Sequence, residues 1–202
     1  MKRLLFVVLA SVISCRSVAP SPVPAGPHNH SAESWNRVVN FDELRATYGE
    51  REDFFELCEQ DRPLKELFSA ANSADWIKVV ALTGEWLDSC PVDIDAHYLR
   101  AIAFSETGNS VESEMHIRWF EGLMDSVVAS GDGKTSETPF IVISVPEEYS
   151  VMRAFRLEVK GQMLLDDIDT LMAIDNEGNS TTVHFRPDAH WRRLEQERPA
   201  SE

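Results

Sequence analysis

Between Phe41 and Val127 the apolar residues recur at helical spacing, and beyond Phe140 they gather into strand-like runs around one short helix. Phe41, Leu44 and Tyr48 fall on one side of a first helix, and Phe54, Phe55 and Cys58 continue on a second, shorter one. Asp61-Arg62-Pro63 opens a third, because proline suits a first turn, with Leu64, Leu67, Phe68 and Ala71 as its apolar stripe. Asn72-Ser73 breaks it. Asp75 is placed to cap a fourth helix carrying Trp76, Val79, Val80, Leu82, Trp86 and Leu87, which Cys90-Pro91 ends. From Asp93 a fifth runs through Ala96, Leu99, Ala103 and Phe104 to Thr107-Gly108-Asn109. A sixth, from about Val111, aligns His116, Trp119, Phe120, Leu123 and Val127 before Ser130-Gly131-Asp132-Gly133.

The period then changes. Phe140-Ile141-Val142-Ile143 reads as a buried strand, and Ser144-Val145-Pro146-Glu147 as a capping box that starts a short helix with Tyr149, Met152 and Phe155. Leu157 to Leu165 forms a second strand interrupted near Gly161. Ile168–Ile174 and Thr181–Phe185 flank the turn Asp175-Asn176-Glu177-Gly178-Asn179 and so predict a hairpin. Alternation along Thr182, His184 and Arg186 predicts a solvent-facing strand edge. Asp188 would cap a last helix with Trp191 and Leu194. The expected fold class is α+β: helical hairpins packed on a small, mainly antiparallel sheet with short helices. Residues 35–130 form the helical part and 131–202 the α+β part, with 35–195 as one compact unit.

From Pro91 to Gly108 the spacing resembles a tetratricopeptide (TPR) unit, with Ala101 and Phe104 at its small and aromatic positions and Gly108 at its inter-helix turn. Trp76 and Pro91 match the second helix of the preceding unit. Trp86 replaces that unit's usual small residue, and the second unit lacks a closing proline. The resemblance implies an inner, partner-facing surface at Asp95, Tyr98, Ile102, Ser105 and Glu106.

The first residues carry an address. Lys2 and Arg3 precede an apolar stretch, Leu4 to Ile13, which is shorter than the about 20 residues a bilayer span needs. Val12-Ile13-Ser14-Cys15 resembles a bacterial lipobox, which implies removal of residues 1–14 and a diacylglycerol thioether on Cys15. Cleavage after Ser17-Val18-Ala19 is the rival, and Pro20 makes a poor residue after that cut. Arg16, in place of aspartate after the cysteine, implies the outer membrane by analogy with enterobacterial sorting. Residues 15–34 hold Pro20, Pro22, Pro24 and Pro27 and predict an extended tether reaching about 50 Å. His28 and His30 within it lack a third ligand nearby. In an oxidising compartment Cys58 and Cys90 have two fates, a disulfide or two buried thiols.

Charge narrows the partners. The chain of 202 residues carries a formal net charge of −15, and losing Lys2 and Arg3 with the signal leaves −17. Such a surface repels phosphate backbones, which argues against non-specific nucleic-acid binding, and the acidic rim of the inner face around Tyr98 and Ile102 implies a basic or amphipathic protein or peptide partner.

The chemical constellations are weak. Gly131-Asp132-Gly133-Lys134-Thr135 has Val128 where a phosphate loop needs glycine, and a helix where that loop follows a strand. His97 and His116 lie on the two helices of one hairpin, where a metal would need Asp95 or Glu114 to turn inward as a third ligand. His116 shares its side with Phe120 and Leu123, as a hydrogen-bonded core histidine does. The acid pairs Glu147-Glu148 and Asp166-Asp167 have no sequence neighbour that would separate their pKa values. No cofactor and no metal is expected.

Finally, Arg62-Pro63-Leu64-Lys65-Glu66-Leu67-Phe68, Cys90-Pro91-Val92-Asp93-Ile94-Asp95-Ala96-His97, Ser130-Gly131-Asp132-Gly133-Lys134, Glu137-Thr138-Pro139-Phe140 and Val142-Ile143-Ser144-Val145 together resemble a bacterial family of unknown function, DUF family 4919. The resemblance runs from about Phe41 to Arg193 and implies no activity. The expectation is an envelope lipoprotein acting as a protein- or peptide-binding module. The alternative is a hydrolase acting on envelope material, with Lys134, Glu148, Tyr149 and His116 in a crevice between helices and sheet.

Overall fold

The computed structural model describes Trp35 and residues 38–189. The expected signal, Cys15, the tether with His28 and His30, and the last helix with Trp191 and Leu194 lie outside the described residues. Within them the fold is α+β, with seven helices and one four-stranded sheet.

The helices are α1 (Phe41–Gly49), α2 (Phe54–Cys58), α3 (Leu64–Asn72), α4 (Trp76–Ser89), α5 (Ile94–Glu106), α6 (Ser110–Ala129) and α7 (Val145–Ala154). Their starts follow local chemistry. Asn40, Asp75, Asp93 and Ser144 each accept a hydrogen bond from a backbone N–H three residues on, satisfying one donor that a helix leaves orphaned. At α7 only half of the expected capping box forms. Ser144 accepts from the Glu147 N–H, but the Glu147 carboxylate accepts from Ile143 N–H at 2.8 Å and binds Arg45. Helices α4, α5 and α6 stack as successive hairpins. Gly122 lets α1 close on α6: a Cβ there would stand 2.1 Å from the Phe41 ring.

The strands are β1 (Phe140–Ile141), β2 (Glu158–Leu165), β3 (Ile168–Ile174) and β4 (Ser180–Arg186), in the order β1-β4-β3-β2. Pairing is antiparallel except for β1 with β4, which is parallel. β4 is therefore interior, not the solvent-facing edge that its alternation predicted. Its His184 is half-buried and shares a 3.0 Å hydrogen bond with Thr170 of β3. A register shift between Val159 and Gly161 marks the break expected near Gly161.

The main core joins sheet and helices: Leu171, Ala173, Val183 and Phe185 meet Phe54, Leu123, Val127, Val151 and Met152. The Cys58–Cys90 disulfide lies in this core and bridges the end of α2 to the end of α4. Closing 32 residues of sequence separation, it restricts the unfolded chain by about 3–4 kcal/mol in the loop-entropy view. Arg45, buried in α1, binds Glu147 through two nitrogens, Ser126 at 2.9 Å and the Ile141 carbonyl at 3.0 Å. One guanidinium thus joins α1, α6, β1 and α7.

Candidate functional site

The face of α5 was expected to carry the partner surface, and it divides in two. Tyr98 is 44% exposed and its ring lies 5.1 Å from that of Phe120 on α6. Ile102 is half-buried, and Ser105 and Glu106 are exposed further along the same face. Asp95 does not belong with them. It is 7% exposed because α7 closes over the start of α5: Ser150 donates to Asp95 at 2.7 Å and Arg153 donates to both carboxylate oxygens. Arg62 reaches Asp95 from the segment before α3, at 2.9 Å.

Asp93 completes this cluster. Its carboxylate accepts two bonds from Arg62, one from the Trp86 indole at 2.7 Å and the Ala96 N–H that caps α5. Burial by itself would raise the Asp93 pKa, but the adjoining Arg62 guanidinium and these hydrogen bonds hold it below the usual carboxylate value. The sequence signalled only the cap. Nothing in local spacing announces that Arg62 pairs with residues 31 and 33 positions away, or that Arg153 arrives from 58.

His97 and His116 form a second buried network. Arg100 Nε donates to His116 Nε2 at 3.0 Å, so the proton of neutral His116 sits on Nδ1 and is donated to His97 Nδ1, 2.9 Å away. His97 then carries its proton on Nε2 and donates to the Pro91 carbonyl at 3.0 Å. The rings pack against Trp35, Trp119 and Phe104. Burial lowers His97 to about 4; burial, then His97 and Arg100, lower His116 to about 2. Nitrogens this close leave no room for an ion between them, and Asp95 is committed to arginines. Among the described residues no three His, Cys, Asp or Glu side chains are grouped for a metal.

The residues of the hydrolase reading are dispersed. His116 is sealed in the helical core, and Lys134 is exposed in the loop after α6, near Asp132. That loop is a turn, with Thr138 Oγ1 donating to Asp132 at 2.6 Å and the Thr138 carbonyl accepting from the Gly133 N–H. Gly133 has φ +65° and a Cβ there would strike the Phe140 ring, so its glycine serves backbone passage. Glu148 and Tyr149 sit on α7. Both Glu148 carboxyl oxygens and Asp169 Oδ1 are buried without a protein donor. Burial, then the negative charge of neighbouring Asp169, raise Glu148 to about 9, so near neutrality it is protonated. Asp169 accepts from Gln162, which accepts from the Tyr149 hydroxyl at 2.7 Å. An open cavity of about 410 Å³ lies elsewhere, lined by Asp42, Arg45, Ser130, Ile141 and Asp188, with Arg45 already bonded to Glu147.

These features define a small α+β domain, braced by buried polar clusters, that presents a helical face with one exposed aromatic. Residues 52–190 match the family model described as a domain of unknown function, DUF4919, and the chain belongs to that family. Comparison with curated proteins and with solved structures returns no match.

Proposed function

We propose that this protein is an exported lipoprotein of the bacterial envelope whose TPR-like helices bind a protein or peptide along the face of α5 from Tyr98 to Glu106. The exposed Tyr98 ring, braced by Phe120 and in line with Ile102, carries the reading. An amphipathic partner would lay an apolar side against Tyr98 and Ile102, and basic groups would meet Glu106 and the acidic surround. Asp95 takes no part, because its oxygens serve Arg62, Arg153 and Ser150.

Two measurements test this. Affinity capture from the native membrane should recover partners with the wild-type chain and lose them with Tyr98→Ala. An unchanged partner set removes this surface from consideration. Radiolabelled palmitate should enter the wild-type chain and not Cys15→Ser, and the variant should leave the membrane fraction. Label in neither chain would end the lipid-anchor reading.

A further inference from the structure

We propose that a second copy of this chain pairs antiparallel with the free edge of β2, centred on Met163, so that two sheets join into one. β2 is the last strand of the sheet, and among the described residues no backbone group pairs with its outer edge. Such an edge is a template for another strand, and proteins commonly blunt it with charge, proline, a bulge or a cover. Here the blunting stops short. The register shift and Lys160 lie at the near end, and beyond them Gly161 to Leu165 runs straight until Asp166 turns the chain with φ +56°.

That stretch exposes apolar side chains on both faces. Gln162 and Leu164 stand opposite buried Leu171 and Asp169, whereas Gly161, Met163 and Leu165 lie on the other face of the sheet. Met163 is 53% exposed, Leu164 52% and Leu165 65%. Three consecutive exposed apolar residues on an unpaired strand edge invite pairing with another chain.

The straight segment selects the occupant and its register. Its five residues have Met163 at the middle, so the pairing that uses all of them sets Met163 against the partner's Met163. Gln162 then faces the partner's Leu164, and Gly161 the partner's Leu165. Gly161 has no side chain, and Met172 folds over it, a Cβ there standing 2.9 Å from the Met172 methyl. The partner's Leu165 therefore lands beside Met172, itself 44% exposed. Just outside the segment, exposed Lys160, which pairs with Glu158 in its own chain, comes within reach of the other copy's Asp166 at the start of the turn. Opposite charges brought together across strands are favourable, and here they occur at both ends. Centring the pairing on Gln162 instead, a two-residue shift in register toward the bulge, sets Asp166 against Glu158. The overall charge of −15 opposes association at long range, and salt screens that repulsion beyond about 8 Å.

Cysteine cross-linking in the full chain reads the register directly, since only a residue on the symmetry axis faces its own copy. Under mild oxidation Met163→Cys should give a cross-linked dimer, in several-fold greater yield than Leu164→Cys. Glu177→Cys, in the exposed β3–β4 turn, should remain monomeric, and added salt should raise the Met163→Cys yield. Tyr98→Ala should leave that yield unchanged, which separates this edge from the α5 surface. No dimer from Met163→Cys, or equal yields at 163, 164 and 177 with the fold intact by circular dichroism, would overturn the proposal.

Discussion

Asp95→Ala is expected to lower the unfolding free energy by about 3–5 kcal/mol, the range found when one partner is removed from a buried ion pair. Among the described residues the carboxylate is the one group bonded to both Arg62 and Arg153, and it also accepts from Ser150. Without it Arg62 keeps Asp93, but two arginine donors and a serine hydroxyl face a void under α7. Arg153 has a side chain 33% exposed, so water can replace part of what it loses, and Arg153→Ala should cost less. The double variant should show a coupling of about 0.5–3 kcal/mol, as for residues in one network. Glu106→Ala, at the exposed end of the same helix face, should change stability by no more than about 0.5 kcal/mol. Urea unfolding of the four variants checks this. Equal small effects at Asp95 and Glu106 would mean that α7 does not close over α5.

Between pH 6.5 and 4.5 the two buried histidines should remove about 4–5 kcal/mol of stability. Both have folded pKa values below the ordinary 6.5, about 4 for His97 and about 2 for His116, from burial first. In the folded protein they stay neutral across most of this window while the unfolded chain takes up a proton on each. Stability from such a group is whole above pH 6.5 and is lost as the pH falls, by about 1.4 kcal/mol per unit for each. Glu148 acts in the opposite sense. Its folded pKa is raised to about 9 from 4.5, so keeping it protonated costs about 3 kcal/mol at pH 7, and that cost vanishes as the pH falls to 4.5. Wild type should therefore show only part of the histidine loss. Glu148→Gln should be more stable at pH 7 by up to about 3 kcal/mol and should lose stability more steeply on acidification. Chemical unfolding at pH 7, 6 and 4.5 measures all three terms, and parallel pH profiles for wild type and Glu148→Gln would refute the assignment.

Much of this fold is legible one segment at a time. Asp75, Asp93 and Ser144 start helices because a side-chain oxygen three residues before an N–H is a local event. The β3–β4 hairpin follows from Asp175, whose carboxylate accepts from the Glu177 and Asn179 N–H groups, and from Gly178 at φ +86°. The candidate surface was harder. Helical spacing correctly aligns Asp95, Tyr98 and Ile102 on one face, but spacing carries no information about what later covers that face. Asp95 is buried by a helix some fifty residues downstream, and that helix starts beyond the strand that pairs parallel with β4.

Alternation misplaced β4 for a related reason. Polar residues on one side of a strand look the same whether the strand is at an edge or inside a sheet with one open face, as here.

Sequence by itself determined the element types, the main helix caps, the hairpin turn, the family and the acidic character of the surface, because each rests on composition or on neighbours a few residues apart. Tertiary structure alone decided that Asp95 is a brace and not a contact, that Glu148 is buried near Asp169 and kept protonated, and that the Met163 edge stands open. Those outcomes depend on which distant side chains meet in a low-dielectric interior and which are left uncovered, and neither is written in the order of residues along one segment.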